Sequence, residues 1–302
     1  MNKIRTILMG TSEFASEIFR HLDLNIVSVI TAPDKPKGRK NLLTPSPVKI
    51  WAKNANLSVL EPIKIRDNEW IDKIKELNPD LIILCAYGQI IPKEILDIPK
   101  YKALNIHPSL LPKYRGASPI HTAILNNDKE TGVTLMLMDE QMDHGDIVAQ
   151  KKIQISNINY KELENKLIDL SVKLLKKLPD YINGKIKPQP QDHEKAVFCK
   201  LIEKEDGKID WDNTAEEIER KIRAYHIWPT VYTDKFKILQ AEVLNESRNK
   251  KISEVFTENK ELMVQTKKGI LILKQVQPQG KKPMSGKDYL NGHPDVVNSV
   301  LK

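Results

Sequence analysis

Asn105, His107 and Asp143 are the residues of this chain whose types and spacing best suit chemistry. The first two stand in Asn105-Ile106-His107-Pro108, and the third follows in Met142-Asp143-His144-Gly145-Asp146. An amide, an imidazole and a carboxylate meet distinct needs when an amine attacks an acyl carbon. The asparagine donates to the oxygen on which negative charge develops. The histidine donates a second hydrogen bond and moves a proton near neutral pH. The aspartate orients the imidazole and helps remove the proton of the attacking amine. None of the three has to become acylated, so the set predicts direct transfer without a covalent intermediate. The same residues also have a plainer use, since Asn-x-His at a strand end and Asp-His-Gly-Asp both suit turns.

Positioning these groups requires particular elements. Residues 103–107 read as a short strand stopped by Pro108, which has no N–H for a sheet ladder. Alternation puts Asn105 and His107 on one face and Leu104 and Ile106 on the other. Two polar groups thus project at a strand's carboxyl end, where open α/β sheets bind ligands. A second apolar run, residues 133–138, predicts a neighbouring strand whose following loop brings Asp143 to His107.

Upstream, residues 4–9 form an apolar run ending at Gly10; Thr11 or Ser12 then caps a helix with Phe14, Ile18, Phe19 and Leu22 at helical spacing. Strands at 25–31 and 81–86 and a helix at 69–77 continue the alternation, which predicts a doubly wound, mostly parallel, Rossmann-like sheet. Gly10-Thr11-Ser12 is not a dinucleotide fingerprint, so no nicotinamide cofactor is inferred, and no phosphate loop is present. Residues 33–49, with four prolines and the basic cluster Lys35, Lys37, Arg39 and Lys40, read as a long mobile surface loop.

Residues 160–182 have helical spacing and close the first domain, expected over 1–188. Pro188 and Pro190 mark a linker, 189–205. The second domain, 206–302, opens with a helix at 214–225 and continues in short β runs at 230–232, 236–243, 262–265 and 269–277, the pattern of a small OB-like β-barrel.

The net charge is +8, and its placement is uneven. Residues 220–302 hold 16 basic and 8 acidic side chains, and the other 219 residues hold 32 of each. Such a bias suits a polyanion and equally suits a soluble lysine-rich surface. The two cysteines, Cys85 and Cys199, have neither disulfide nor metal-site spacing, and Cys85 lies in an apolar run. His121 reads as a packing residue; His144 stands where it can perturb Asp143; His21, His193, His226 and His293 are scattered, and no metal is expected. No apolar stretch approaches the ~20 residues of a membrane span, and the start leads directly into a strand, so a cytoplasmic protein is expected, with a monomer as the default.

Ser109-Leu110-Leu111-Pro112-Lys113-Tyr114-Arg115-Gly116-Ala117-Ser118-Pro119-Ile120 resembles the folate-site signature of the 10-formyltetrahydrofolate-dependent formyltransferases. Further matches are Met9-Gly10-Thr11-Ser12-Glu13-Phe14-Ala15, Asp34-Lys35-Pro36-Lys37-Gly38-Arg39, Ala86-Tyr87-Gly88-Gln89-Ile90-Ile91-Pro92, Gly207-Lys208-Ile209-Asp210-Trp211 and Ile222-Arg223-Ala224-Tyr225. In this order the set is most similar to the branch of the family that formylates methionyl-tRNA. The central block alone is also similar to enzymes acting on glycinamide ribonucleotide or amino sugars. The resemblance implies Asn105, His107 and Asp143 as catalytic residues, Ser109, Leu110, Leu111 and Pro112 as the segment holding folate, and 10-formyltetrahydrofolate as formyl donor. It implies methionyl initiator tRNA as acceptor, gripped by the loop with Arg39 at its key position beside Lys35, Lys37 and Lys40. Two departures are Lys40-Asn41-Leu42, where relatives carry more glycine or lysine, and His226-Ile227 before Trp228-Pro229. A formyltransferase for a small amine needs neither the basic second domain nor the loop, and a non-catalytic tRNA- or folate-binding protein has no use for a poised base.

Overall fold

The computed structural model describes residues 4–38 and 41–302. The chain forms two compact units, the first holding residues up to Gly116 with Glu130–Gln154 and Glu164–Cys199, the second Ala117–Lys129, Ile155–Leu163 and Lys200–Lys302. In chain order the elements are β1 (Arg5–Gly10), α1 (Glu13–Phe19), β2 (Asn25–Ile30), β3 (Lys35–Lys37), β4 (Leu42–Thr44), α2 (Pro47–Asn54), β5 (Val59–Leu60), α3 (Asn68–Glu76), β6 (Leu81–Cys85), α4 (Lys93–Leu96), β7 (Ala103–His107) and β8 (Lys113–Gly116). They continue with α5 (Pro119–Leu125), β9 (Glu130–Leu137), β10 (Ile147–Gln154), α6 (Tyr160–Leu175), α7 (Leu178–Ile182) and β11 (Val197–Cys199).

The main sheet of the first unit has the order β10-β9-β7-β6-β1-β2-β5. Pairing is parallel from β5 to β7 and antiparallel for β9 and β10. Strands of a parallel sheet are covered on both faces and read as unbroken apolar runs, and all five residues of β6 are buried. Strand order reverses between β1 and β6, the position at which such sheets open a crevice. There the turn after β1 lies against the end of β6. The Thr11 N–H donates to the Ala86 carbonyl at 3.1 Å and its hydroxyl to the Tyr87 carbonyl at 2.9 Å. A side chain at Gly10 has no room, since its Cβ would stand 2.8 Å from Ala15, Phe19 and the Cys85 carbonyl.

Three expectations need correction. Residues 33–49 are not one long loop: β3 and β4 pair antiparallel, and Pro47 opens α2, capped by the Ser46 hydroxyl. Pro36 and Gly38 read as breakers, yet a two-stranded ribbon tolerates proline on its unpaired edge. The ribbon's base is anchored by Lys49, whose ammonium meets Asp34 at 2.6 Å and Glu61 at 2.7 Å. These bonds, Asp34's first, hold that amine above the usual lysine range. Residues 160–182 form two helices, with Pro179 in the first turn of α7, where its missing N–H costs nothing. The stretch read as a linker over 189–205 is built into the first unit as far as Cys199: Gln189 bridges to Ile147, and β11 pairs in parallel with β8. Proline content signals extended backbone, and extended backbone can add to a sheet edge.

In the second unit α8 (Ala215–Ala224) begins with a Thr214–Glu217 capping box. It packs on α5 and on the antiparallel sheet formed by β12 (Val231–Tyr232), β13 (Phe236–Leu244), β14 (Val255–Glu258), β15 (Glu261–Gln265), β16 (Ile270–Pro278) and β17 (Met284–Ser285). Its order is β12-β13-β16-β15-β14, with β17 on β16, and α9 (Gly286–Gly292) packs on β15 and β16. No helix among the described residues is long and apolar enough to cross a membrane.

His121 is a packing residue, its ring tilted against that of Tyr160 with centroids 4.3 Å apart, and burial pulls its imidazole down to about 4. A base whose folded pKa is depressed leaves the unfolded chain holding more protons, so acidification from about 6.5 to about 4 destabilises the fold. Urea midpoints measured across that window should fall with pH in the wild type and fall less steeply in His121→Phe. Equal slopes would contradict the assignment.

Candidate active site

The carboxyl end of β7 presents Asn105 and His107, and register places them opposite Met136 and Thr134 of β9. The connection from β9 to β10, residues 138–146, then carries Asp143 back over that strand end. The Asp143 Oδ1 accepts from Asn105 Nδ2 at 3.2 Å, and Oδ2 accepts from the Gly116 N–H at 2.8 Å. His107 Nδ1 stands 3.5 Å from Oδ1. The other imidazole nitrogen, Nε2, lies 2.8 Å from the Tyr114 carbonyl. A carbonyl only accepts, so Nε2 carries a hydrogen and Nδ1 is the position that faces the carboxylate. His107 is buried and Asn105 half-buried. The expected trio therefore comes together in one cluster.

Unusual backbone holds these groups in place. Positive φ occurs at Ala86 (46°), Tyr114 (64°), Gly116 (109°) and Asp143 (49°), all around this strand end. Aspartate tolerates the left-handed region better than most residues, and glycine is at home there. At Gly145 a Cβ would overlap the Leu137 carbonyl, and at Gly116 it would overlap the Cys199 carbonyl. Glycine at these two positions lets the loop and β8 approach the strands that frame the site.

The segment Ser109 to Pro112 follows directly. Ser109 is fully buried, and its hydroxyl donates to the Lys113 carbonyl at 2.6 Å. The Thr134 hydroxyl donates to the Ser109 carbonyl at 2.7 Å and accepts from the Leu111 N–H at 3.1 Å. Gln150 donates to the Leu111 carbonyl at 2.8 Å. Ser109 and Leu111 thus build the turn, and the half-buried Leu110 and Pro112 are its more accessible side chains. Lys35 and Lys37 are exposed on β3, while Arg39 and Lys40 lie outside the described residues. Among the described residues no group of three or more His, Cys, Asp or Glu is placed to hold a metal ion. Cys85 is fully buried, which pushes its thiol up.

Two further residues escaped the sequence reading as site components. Gln191 donates to the Asp143 carbonyl at 2.9 Å and the Gly145 carbonyl at 2.8 Å, and its own oxygen accepts from Arg115 at 2.7 and 3.2 Å. Arg115 lay in view inside the signature, whereas Gln191 sat in residues read as linker. His144 does not bear on Asp143 as expected: its Nδ1 meets Asp139 at 2.6 Å, and its ring stacks on His193 at 4.0 Å.

Residues 3–178 match the family model described as formyl transferase, and residues 201–294 match the formyl transferase C-terminal domain. A methionyl-tRNA formyltransferase of Clostridium novyi is 40% identical over 99% of this chain and all of its own. One from Bacillus subtilis is 41% identical over 98% of this chain and 97% of its own. Among solved structures, an N-formyltransferase from Helicobacter canadensis with folinic acid and dTDP-3-aminofucose superposes with a TM-score of 0.66 at 22% identity, covering 91% of this chain and 99% of that one. HypX from Aquifex aeolicus with tetrahydrofolic acid gives 0.64 at 18% identity, over 97% of this chain and 48% of HypX. This chain spans about half the length of HypX, and both structural likenesses speak to the fold alone.

Replacing Gly145 with alanine should push the 138–146 loop off the end of β9. The expected loss is about 1–3 kcal/mol of stability, the usual range for overpacking, read from urea unfolding. A variant as stable as the wild type would show that the loop has slack.

Proposed function

The chain belongs to the methionyl-tRNA formyltransferases of the formyl transferase family, and from that premise we infer how its site performs the reaction. The enzyme moves a formyl group from 10-formyltetrahydrofolate to the α-amine of methionyl initiator tRNA, yielding N-formylmethionyl-tRNA and tetrahydrofolate. One observation carries the assignment of residues: Asn105, His107 and Asp143 converge at the carboxyl end of β7.

The amine nitrogen bonds to the formyl carbon, and its proton passes to the Asp143 carboxylate. Asn105 has one amide hydrogen on Asp143 and another to give to the developing oxyanion. His107 Nδ1, the imidazole position facing Asp143, shares that proton and supports the same charge. The carbon–N10 bond then breaks, the proton returns from the Asp143–His107 pair to N10, and tetrahydrofolate leaves. Ser109 and Leu111 fix the turn on which the folate rests, with Leu110 and Pro112 as its apolar contacts.

Lys35, Lys37, Arg39 and Lys40 take the acceptor end of the tRNA. Residues 1–188, apart from the two segments that join the second unit, act with the strand at 197–199 as the folate-binding catalytic domain, and residues 206–302 act as an OB-like tRNA-binding domain. The excess of basic over acidic residues from Arg220 onward, 16 to 8, supports that division, because phosphate contacts supply much of nucleic-acid affinity. In this reading the enzyme works as a monomer in the cytoplasm, where initiator tRNA is charged, and needs no membrane and no metal.

Asn105→Ala, His107→Ala and Asp143→Asn should each lower kcat by about 10²–10⁴-fold with the fold intact by circular dichroism; near-normal turnover in any one removes it from the chemistry. Arg39→Ala should act chiefly on tRNA, raising its KM while that for 10-formyltetrahydrofolate holds. Comparing initiator with elongator methionyl-tRNA in the same assay tests the acceptor. Folate turnover without tRNA formylation would retain the chemistry and reopen the acceptor.

A further inference from the structure

Asp143 is held from its backbone as well as from its carboxylate. Gln191 is buried, and its amide nitrogen spends both hydrogens on the loop that carries Asp143, one on the Asp143 carbonyl at 2.9 Å and one on the Gly145 carbonyl at 2.8 Å. Its amide oxygen accepts twice from the Arg115 guanidinium, at 3.2 Å from Nε and 2.7 Å from Nη2. Arg115, itself buried, is fixed in turn by His193 Nδ1 at 2.8 Å from Nη2 and by the Phe198 ring at 5.9 Å. Since Arg115 only donates, the oxygen and nitrogen of the Gln191 amide are not interchangeable: the oxygen must face the guanidinium, and both N–H bonds must face the loop. Arg115 also precedes Gly116, whose N–H holds the Asp143 carboxylate. One short stretch of β8 thus fixes the carboxylate directly and fixes its backbone through Gln191.

Resting on the formyl-transfer reading above, we propose that Gln191, oriented by Arg115, is a positioning residue for Asp143. The two donated bonds close on either side of His144 and keep residue 143 in its left-handed conformation at φ 49°, which aims the carboxylate at Asn105 and His107. Catalysis needs that aim more than folding does. A misplacement of about 1 Å at a reacting group costs about 10²-fold in rate, while substrates bind largely through other residues.

The test separates donation from packing. Gln191→Glu keeps the size of the side chain and a strong bond to Arg115 but has no hydrogens for the two carbonyls. Gln191→Met keeps the volume and loses all four bonds. In steady-state formylation of methionyl initiator tRNA, both variants should show kcat lowered by about 30- to 100-fold, with KM for 10-formyltetrahydrofolate and for tRNA within about threefold and a circular dichroism spectrum like the wild type. Placed on Asp143→Asn, either change should cost little more, because a residue acting through Asp143 has nothing left to position. Wild-type kcat in Gln191→Glu, or full additivity with Asp143→Asn, would overturn the proposal. If Gln191→Met does not fold, Gln191→Glu and Arg115→Lys carry the same comparison. Wild-type enzyme run alongside distinguishes the two levels: inactivity toward methionyl-tRNA would defeat the functional reading, whereas an active wild type with unimpaired variants defeats only this one.

Discussion

The Asp143 carboxylate accepts from the Asn105 amide and the Gly116 N–H while its own backbone occupies φ 49°, and the rest of the site is arranged to keep it there. A side-chain-bearing residue in the left-handed region costs about 1 kcal/mol or more, so it persists only where its surroundings over-determine it. Here they do so from three separate parts of the chain. Asn105 comes from the end of β7, Gly116 from the end of β8, and Gln191 from the approach to β11. Each segment is secured in a ladder or turn of its own, so the strain is carried by the first unit as a whole.

Sheet topology explains why such a convergence occurs at this edge. Parallel strands end together, and their carboxyl ends gather the loops that follow them. The switch to antiparallel pairing at β9 adds something a wholly parallel sheet lacks. A strand running the other way beside β7 ends opposite Leu104, so its connection to β10 folds back toward His107 to deliver Asp143, while Thr134 of that strand, opposite His107, ties down the turn from Ser109 to Pro112 through two hydrogen bonds. The glycines at 116 and 145 are then steric necessities, since a Cβ at either would strike a carbonyl of the scaffold.

Much of this was legible in the residues alone. The alternation of Asn105 and His107, the stop at Pro108 and the apolar run before Asp143 were enough to assemble the trio, because strand periodicity and strand ends are local properties. The long-range components were not legible in the same way. Gln191 lies among prolines that read as a linker, and nothing local to it announces two carbonyls 46 and 48 positions away. The β3–β4 ribbon was hidden by Pro36 and Gly38, and β14 by its brevity, since four residues give little periodicity. His144 misled for the opposite reason: sequence adjacency to Asp143 suggested contact, but neighbours in a tight loop point different ways, and its partners are Asp139 and His193.

An amide, an imidazole and a carboxylate arranged around Asp143 call for direct transfer, with no residue of the site taking up the formyl group. Rapid-quench single turnover with formyl-labelled 10-formyltetrahydrofolate and methionyl initiator tRNA tests this most directly. Label should reach methionyl-tRNA at the rate it leaves folate, with none on the protein at any time. A protein-bound formyl fraction that rises and decays before product appears, on His107 or elsewhere, would contradict it.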